Sequence, residues 1–499
     1  MHAAEGQRER FSNKRHNATT CHAHHDVANR KPGVLLVVLI GKVLVEGVPT
    51  VRITIIDGKE VPVQAMAQLP PGAVPAFLGV ILIVAVLIEP WLIRRQVFPR
   101  LWARLRGKPL PPVGDATSIA IEGVQTKGSH ATDRALNATG LRKILARRDI
   151  AAILLAVVLW AVGLYLRPDF WGGLDNSFNL ILAFTEVALL SIGLTFVIAN
   201  GDIDLSVGSV LAMSGAAAGA AMKILGYDPF TAIVIGLLAG SAAGVVNALV
   251  TVRFGLPAFV ATLGMFYTAR GISAWIVSGF PLSGFPEGYN LIGRKLIDVL
   301  AYVGVAPEKG TLFFDIASAL SVQSIFMGVV AILAGVFLGY TIWGQQVYAT
   351  GGNRRAADYA GINTDRVRFL SLVFSALCAA AAGVIYIAFY RSFTPTAGQF
   401  RELDGIASVI IGGGSIFGGY GTIIGSLAGA AVITLLRALL SLQIITADGS
   451  FVLPQHWVNV FIGLILIVAV LIDIWVRQAG IFGQIKSFLT SSRRKPANA

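Results

Sequence analysis

The chain has 499 residues, of which 55% are hydrophobic and only 13% charged, against about 25% charged in soluble domains. With a mean hydropathy of +0.71, a soluble globular protein is excluded and an integral membrane protein is indicated. The formal charge of +13 lies mostly between apolar runs, as the positive-inside rule produces, and no nucleic-acid module accompanies it.

Residues 1–31 are polar, basic and aperiodic, which predicts a disordered cytoplasmic tail. Within it Cys21-His22-Ala23-His24-His25 has a spacing that fits no standard zinc site. Cys21 in this tail and Cys378 in an apolar run are not expected to pair, so no disulfide framework is predicted. Residues 33–48 are apolar but short, and Lys42 and Glu46 interrupt them. A polar loop of alternating character over 49–72 and a clear span over 73–93 follow, so 32–93 reads as an N-terminal membrane hairpin. Residues 94–148 form a basic cytoplasmic linker carrying Arg94, Arg95, Arg100, Arg104, Arg106, Arg142, Lys143, Arg147 and Arg148.

From there the apolar runs predict spans near 149–166, 178–199, 205–222, 229–250, 258–279, 322–343, 368–391, 403–418, 421–443 and 457–476. If Arg147 and Arg148 are inside, then Arg253, the basic loop 344–368 and the tail 479–499 are also inside, and 280–323 is outside. The short, glycine-rich run 403–418 has to cross for this to hold, which suits a broken or half-unwound helix. The expected fold is an all-α polytopic transmembrane helical bundle of about ten core spans over 149–478, plus the N-terminal hairpin.

The stretch 200–215, N-G-D-I-D-L-S-V-G-S-V-L-A-M-S-G, is the centre of this arrangement. A carboxylate at membrane depth costs on the order of 2.5–3.5 kcal/mol, so Asp202 and Asp204 are expected to face protein, water or a cargo path. Asp204 and Ser206 suit the cap of a helix starting at Leu205; Asp202 has no such local role. G-D-I-D-L-S-V-G-S strongly resembles the signature of the membrane permeases of bacterial ABC importers for ribose, xylose and related monosaccharides. The resemblance covers about 149–478 and includes later motifs. Residues 255–271, G-L-P-A-F-V-A-T-L-G-M-F-Y-T-A-R-G, resemble the family's P-x-F-[IV]-x-T-L-G run. Their plain structural reading is a packed span in which Pro257 starts the helix and Thr262 and Gly264 are small contact residues.

The loop 344–368 contains G-N-R-R-A-A-D-Y-A-G-I. Asn353 can cap a short helix over Arg354, Arg355, Ala356, Ala357, Asp358 and Tyr359, with Gly361 as its stop. This closely resembles the family's coupling helix, which fits a groove on the ATPase. The stretch 401–414, R-E-L-D-G-I-A-S-V-I-I-G-G-G, echoes 201–215: Asp404, beside Glu402, precedes an apolar run ending in glycines. One begins at the inner side and the other at the outer side, the signature of an inverted repeat. Asn200, Asp202, Asp204, Ser206, Thr262, Glu402 and Asp404 are therefore the expected path or gate residues.

The glycines of 412–425 fit no G-x-G-x-x-G register, and no G-x-x-x-x-G-K-[ST] occurs, so the chain has no P-loop of its own. No nucleophile–base pair or metal spacing suggests an enzyme. The resemblance implies an inner-membrane permease with no cofactor in this chain. It also implies a permease homodimer, a partner ATPase that binds ATP-Mg, and a periplasmic sugar-binding protein. The rival expectation is an ion-coupled secondary transporter in which Asp202, Asp204 or Glu186 binds a proton or cation.

Overall fold

The computed structural model describes residues 48–56, 59–67, 148–305, 307–442, 444–446, 449–451, 454, 457–465 and 467–468. The predicted tail, basic linker and both arms of the N-terminal hairpin lie outside these residues, save that 48 belongs to a strand and 148 opens the first helix. The stretch expected as a polar loop is a β-ribbon. Strand β1 (Val48–Ile56) pairs antiparallel with β2 (Lys59–Ala67), from Val48 opposite Ala67 to Ile56 opposite Lys59. The alternating V-R-I-T-I-I pattern is strand periodicity, and Asp57-Gly58 between the strands is a strong two-residue hairpin signal.

The remainder is mostly helical. The main helices are α1 (Arg148–Leu166), α2 (Leu174–Ala199), α3 (Val207–Lys223), α4 (Pro229–Arg253), α5 (Ala258–Ile276) and α6 (Val322–Tyr340). Then come α7 (Ile342–Gly352), α8 (Arg354–Tyr359), α9 (Thr364–Tyr390), α10 (Arg401–Ile411) and α11 (Ile423–Leu440). Among the described residues six helices are long and apolar enough to cross a membrane: α1, α2, α4, α6, α9 and α11. The fold is that of a polytopic helical membrane protein. The all-α expectation is amended by three two-stranded ribbons.

Burial ranks the helices. In α2, 83% of the apolar window is buried, and in α9 67%, against 17% in α1. Small residues let the central helices approach closely. Gly240 and Gly244 lie one turn apart on α4 and face Ala380 and Ala376 of α9, and a Cβ at either glycine would overlap the alanine side chain. Gly383 of α9 sits against the Leu211 carbonyl of α3 in the same way. Asp228 starts α4 by accepting from the N–H groups of Phe230 and Thr231 at 2.9 and 3.2 Å. The Thr231 hydroxyl and these amides hold its carboxyl below the usual carboxylate range.

Two interruptions organise the centre. Residues 200–206 are not helical, and Gly201 takes φ +88° there. Before α10 the chain is again irregular, and Phe400 adopts a left-handed φ of 66°. The 11 residues of α10 reach only about 17 Å, well short of a bilayer core of roughly 30 Å. The starts of α3 and α10 meet: a Cβ on Gly208 would overlap the Glu402 carboxylate, and one on Gly398 would overlap the Gly208 carbonyl.

Candidate functional site

The unwound stretch 200–206 is held by side chains from three helices. Asp202 makes a two-pronged ion pair with Arg368 of α9, at 2.6 Å to Nε and 2.7 Å to Nη2. Both side chains are about nine-tenths buried, at 11% and 9% exposure. Asp204 is fully buried. One oxygen accepts from the Ser206 amide at 2.8 Å and the Ser206 hydroxyl at 2.6 Å, and the other from the Ser375 hydroxyl of α9 at 3.0 Å. Asn247 of α4 donates to the Ser206 hydroxyl at 2.9 Å. Thr262 of α5 accepts from the Leu205 amide at 3.2 Å and donates toward the Ile203 carbonyl at 3.3 Å. Asn200 closes α2 as its C-cap and is buried, and its side-chain amide atoms lack hydrogen-bond partners.

Two expectations are corrected here. The helix begins at Val207 rather than Leu205, and its N-cap Ser206 makes no side-chain capping bond. Asp204 therefore does not cap α3. Its short side chain bonds the amide two residues on, forming a local turn that competes with helix, and it ties that turn to α9. Asp202, which has no local partner, has a distant one in Arg368. Arg368 is the last cation of the basic loop 344–368, at the edge of an apolar run, where a charge seeks a buried partner.

The second cluster surrounds α10. Asp404 is fully buried and accepts from Arg437 of α11 at 2.6 and 3.1 Å and from Arg401 at 3.1 Å. Arg401 Nε also lies 2.9 Å from Glu186 of α2, and Arg437 donates to Asn459 at 3.3 Å. Glu402 is buried on the opposite side of α10 against Gly208, and Arg270 is its charged neighbour. Arg270 itself donates to the Ala397 carbonyl. Arg401, Arg437, Arg270, Asn247 and Ser375 are absent from the residues expected from sequence. Arg437 had a signal, since it is the one charge within the apolar run of α11. The serine and asparagine had none, because such residues also occur as ordinary helix-packing groups.

A cavity of about 510 Å³ adjoins this cluster, bounded by α2, the end of α9, residues 396–401, α11 and Asn459. Among its lining groups are Tyr386, Tyr390, Gln399, Arg401 and Arg437. Of the expected path residues none lines it; Asp404 stands behind its wall, Glu402 lies on the opposite side of α10, and Asn200, Asp202, Asp204, Ser206 and Thr262 belong to the other cluster.

In the loop 344–368, Asn353 accepts from the Ala356 amide at 3.0 Å and so caps α8. Gly361 stops it at φ +83°, with the Ile362 amide returning to the Ala357 carbonyl at 3.0 Å. Arg354 pairs with Asp365 at 2.5 Å, and Thr364 donates to Asp358 at 2.6 Å. Arg354, Arg355, Ala356 and Asp358 are exposed, and Tyr359 is 92% exposed. Ala357 is 4% exposed. Its small side chain packs α8 on its own chain, so it is not the part of the expected coupling helix that faces outward.

Just before α8 the backbone of three segments converges. A Cβ at Gly351 would overlap the Ala199 carbonyl, and the Gly419 amide donates to that carbonyl at 2.8 Å. Gly418, at φ +83°, lies against Gly201. The end of α2, the end of α7 and the turn after α10 thus touch without intervening side chains.

A mostly helical, polytopic protein with interrupted helices and buried ion pairs at its centre is a membrane transport component. Residues 176–470 match the family described as branched-chain amino acid transport system / permease component. The ribose import permease protein RbsC of Escherichia coli (strain K12) is 32% identical over 333 residues, 66% of this chain and 94% of that protein. The fructose import permease protein FrcC of Rhizobium meliloti is 32% identical over 332 residues, covering 66% and 86%. The autoinducer 2 import system permease protein LsrC of Klebsiella pneumoniae is 30% identical over 359 residues, covering 72% and 95%. No solved structure matches the chain. The chain belongs to this family of ABC import permeases, multi-pass proteins of the bacterial inner membrane. It is the permease component and not an enzyme, it carries no cofactor, and it works with a separate ATPase and a binding protein.

Proposed function

We propose that this permease imports a monosaccharide, a pentose or related sugar, by ATP-driven alternating access. The observation that carries the sugar class is the similarity to ribose and fructose import permeases over nearly the whole of those proteins. In this reading two copies of the chain form the pathway, a periplasmic sugar-binding protein delivers cargo at the outer face, and two ATPase domains bind ATP-Mg at the inner face. Each copy has about ten core spans, with α3 and α10 as the corresponding broken helices of an inverted repeat. Residues 32–93 add an N-terminal hairpin outside the family match.

The helix α8, with Asn353, Arg354, Arg355, Ala356, Asp358 and Gly361 around it, is the coupling element. Its motion reaches both broken helices through the glycine junction at 351, 201 and 418–419. Asn200, Asp202, Asp204, Ser206 and Thr262 form the inner gate, and Glu402 and Asp404 anchor the outer half-helix. The ion-coupled alternative needs a carboxylate available to a cation. Asp202 and Glu186 are already paired with arginine, which leaves it only Asp204 of its three candidates.

The test is uptake of labelled D-ribose, D-xylose and D-fructose by proteoliposomes holding the permease, its ATPase and its binding protein. Accumulation of one of them that requires internal or external ATP on the ATPase side, and survives a protonophore, is expected. Uptake by the permease alone that collapses with the protonophore would establish the ion-coupled alternative instead.

A further inference from the structure

We propose that the cavity beside α10 is a binding site, within the permease itself, for one uncharged monosaccharide. In it Arg401 and Arg437 donate to cargo hydroxyls and Tyr386 and Tyr390 take its C–H faces. This rests on the sugar-import reading and deepens it. The permease would then select cargo a second time after the binding protein has released it.

The size fits. A volume of about 510 Å³ is within the usual range for small-molecule pockets, with room for a single sugar ring and water. The charge decides between a neutral and an anionic cargo. Arg401 and Arg437 reach the cavity with side chains 21% and 20% exposed, while Glu186 and Asp404 behind them are 7% and 0% exposed. The arginines are therefore matched by the acids that hold them, and the wall offers donors without net positive charge. A guanidinium has five N–H groups, and Asp404 with Asn459 uses only part of Arg437's set. The remaining donors suit hydroxyl oxygens.

The apolar part of the wall is aromatic. Tyr386 and Tyr390 lie with ring centroids 4.4 Å apart at 43°, and Tyr390 is 47% exposed. A tyrosine pairs an apolar face with a polar tip, which matches a sugar's own mixture of C–H and O–H surfaces. Gln399 adds an amide with both donor and acceptor character. Such a site must be weak, since cargo has to leave it on each cycle.

The test uses the full chain in lipid nanodiscs and saturation-transfer NMR with D-ribose, D-xylose and D-fructose at millimolar concentration. Inorganic phosphate and D-ribose 5-phosphate serve as anionic probes. Signal from one free sugar, competed by another monosaccharide and indifferent to phosphate, is expected. Tyr390→Ala and Gln399→Ala, which leave the ion pairs intact, should each weaken it about tenfold, the loss of one good contact. The site is overturned if no sugar gives a signal, if both variants bind as the unaltered chain does, or if the sugar phosphate binds better than the free sugar. Uptake assays separate the two levels. A monosaccharide transported without binding here removes only this site, whereas an importer that moves no monosaccharide removes the underlying reading and the site with it.

Discussion

Asp202 and Asp204 are two residues apart and have different partners, so their substitutions should differ in kind. Asp204 has no cation within ion-pair distance among the described residues, and its oxygens are satisfied by Ser206 and Ser375. An asparagine there keeps an acceptor for Ser206 and can donate to the Ser375 hydroxyl, which also accepts. Asp204→Asn should therefore be mild. Asp202→Asn instead strands the Arg368 guanidinium, and removing one partner of a buried pair costs about 3–5 kcal/mol. The expected result is a permease that melts earlier in detergent and transports poorly. The double variant Asp202→Asn/Arg368→Gln removes both charges and should recover most of the thermal stability. Transport should stay low, because the pair joins the unwound stretch to α9 and that linkage is proposed to move in gating. Recovery of transport together with stability would reduce the pair to a structural staple.

At the scale of elements, α8 offers the sharpest division between inward and outward residues. Ala357 packs inward, so Ala357→Glu buries a charge within the permease and damages the loop itself. Thr364 is tied into the same loop, since it donates to Asp358 and accepts from Arg354. Tyr359 is the better probe. It is 92% exposed, and a large aromatic left uncovered on a loop is the usual anchor of an interface. Tyr359→Ala should leave insertion and melting unchanged and weaken ATPase retention by about 2 kcal/mol, roughly thirtyfold. Normal retention and normal sugar-stimulated hydrolysis would remove α8 from its proposed coupling role. The cap at Asn353 and the stop at Gly361 were legible because capping is local: the groups that form it are adjacent in sequence. The alternating V-R-I-T-I-I period and the Asp57-Gly58 pair are strand and hairpin signals, but beside long apolar runs the same residues also fit a polar connection. The inward face of Ala357 had no sequence signal, because a helix of 6 residues is too short for its periodicity to mark a buried side.

For the whole molecule, the six long spans and the short helix α10 were legible from hydropathy and from acids at membrane depth, whereas the non-helical stretch 200–206 was expected as a helix start at Leu205. The pairing of those acids was not, since Asp202 and Arg368 are 166 positions apart and only packing brings them together. That packing also suggests which side is open. The loop containing α8 carries the inner-side charge pattern, and next to it the glycine junction brings the backbones of 199–201, 351–352 and 418–419 into contact. The cavity lies at the other end of α9, near Tyr390, and of α11, near Ser441. In the proposed orientation this packing corresponds to a closed inner end with a cavity toward the outer end, one half of the proposed alternating-access cycle. Ala438 tests this directly, since it lines the cavity but belongs to none of the ion pairs beside it. The background is Cys21→Ser, and native Cys378 is buried at 4% exposure, so Ala438→Cys supplies the only reactive thiol intended. A membrane-impermeant maleimide added outside should label it in the nucleotide-free transporter. Trapping the ATPase with ATP and vanadate should change the labelling rate by about tenfold or more if the cavity is part of a path that ATP reshapes. Labelling from the inside only would reverse the assigned orientation. An outside rate unaffected by trapping would show a static surface pocket rather than a compartment of the transport path.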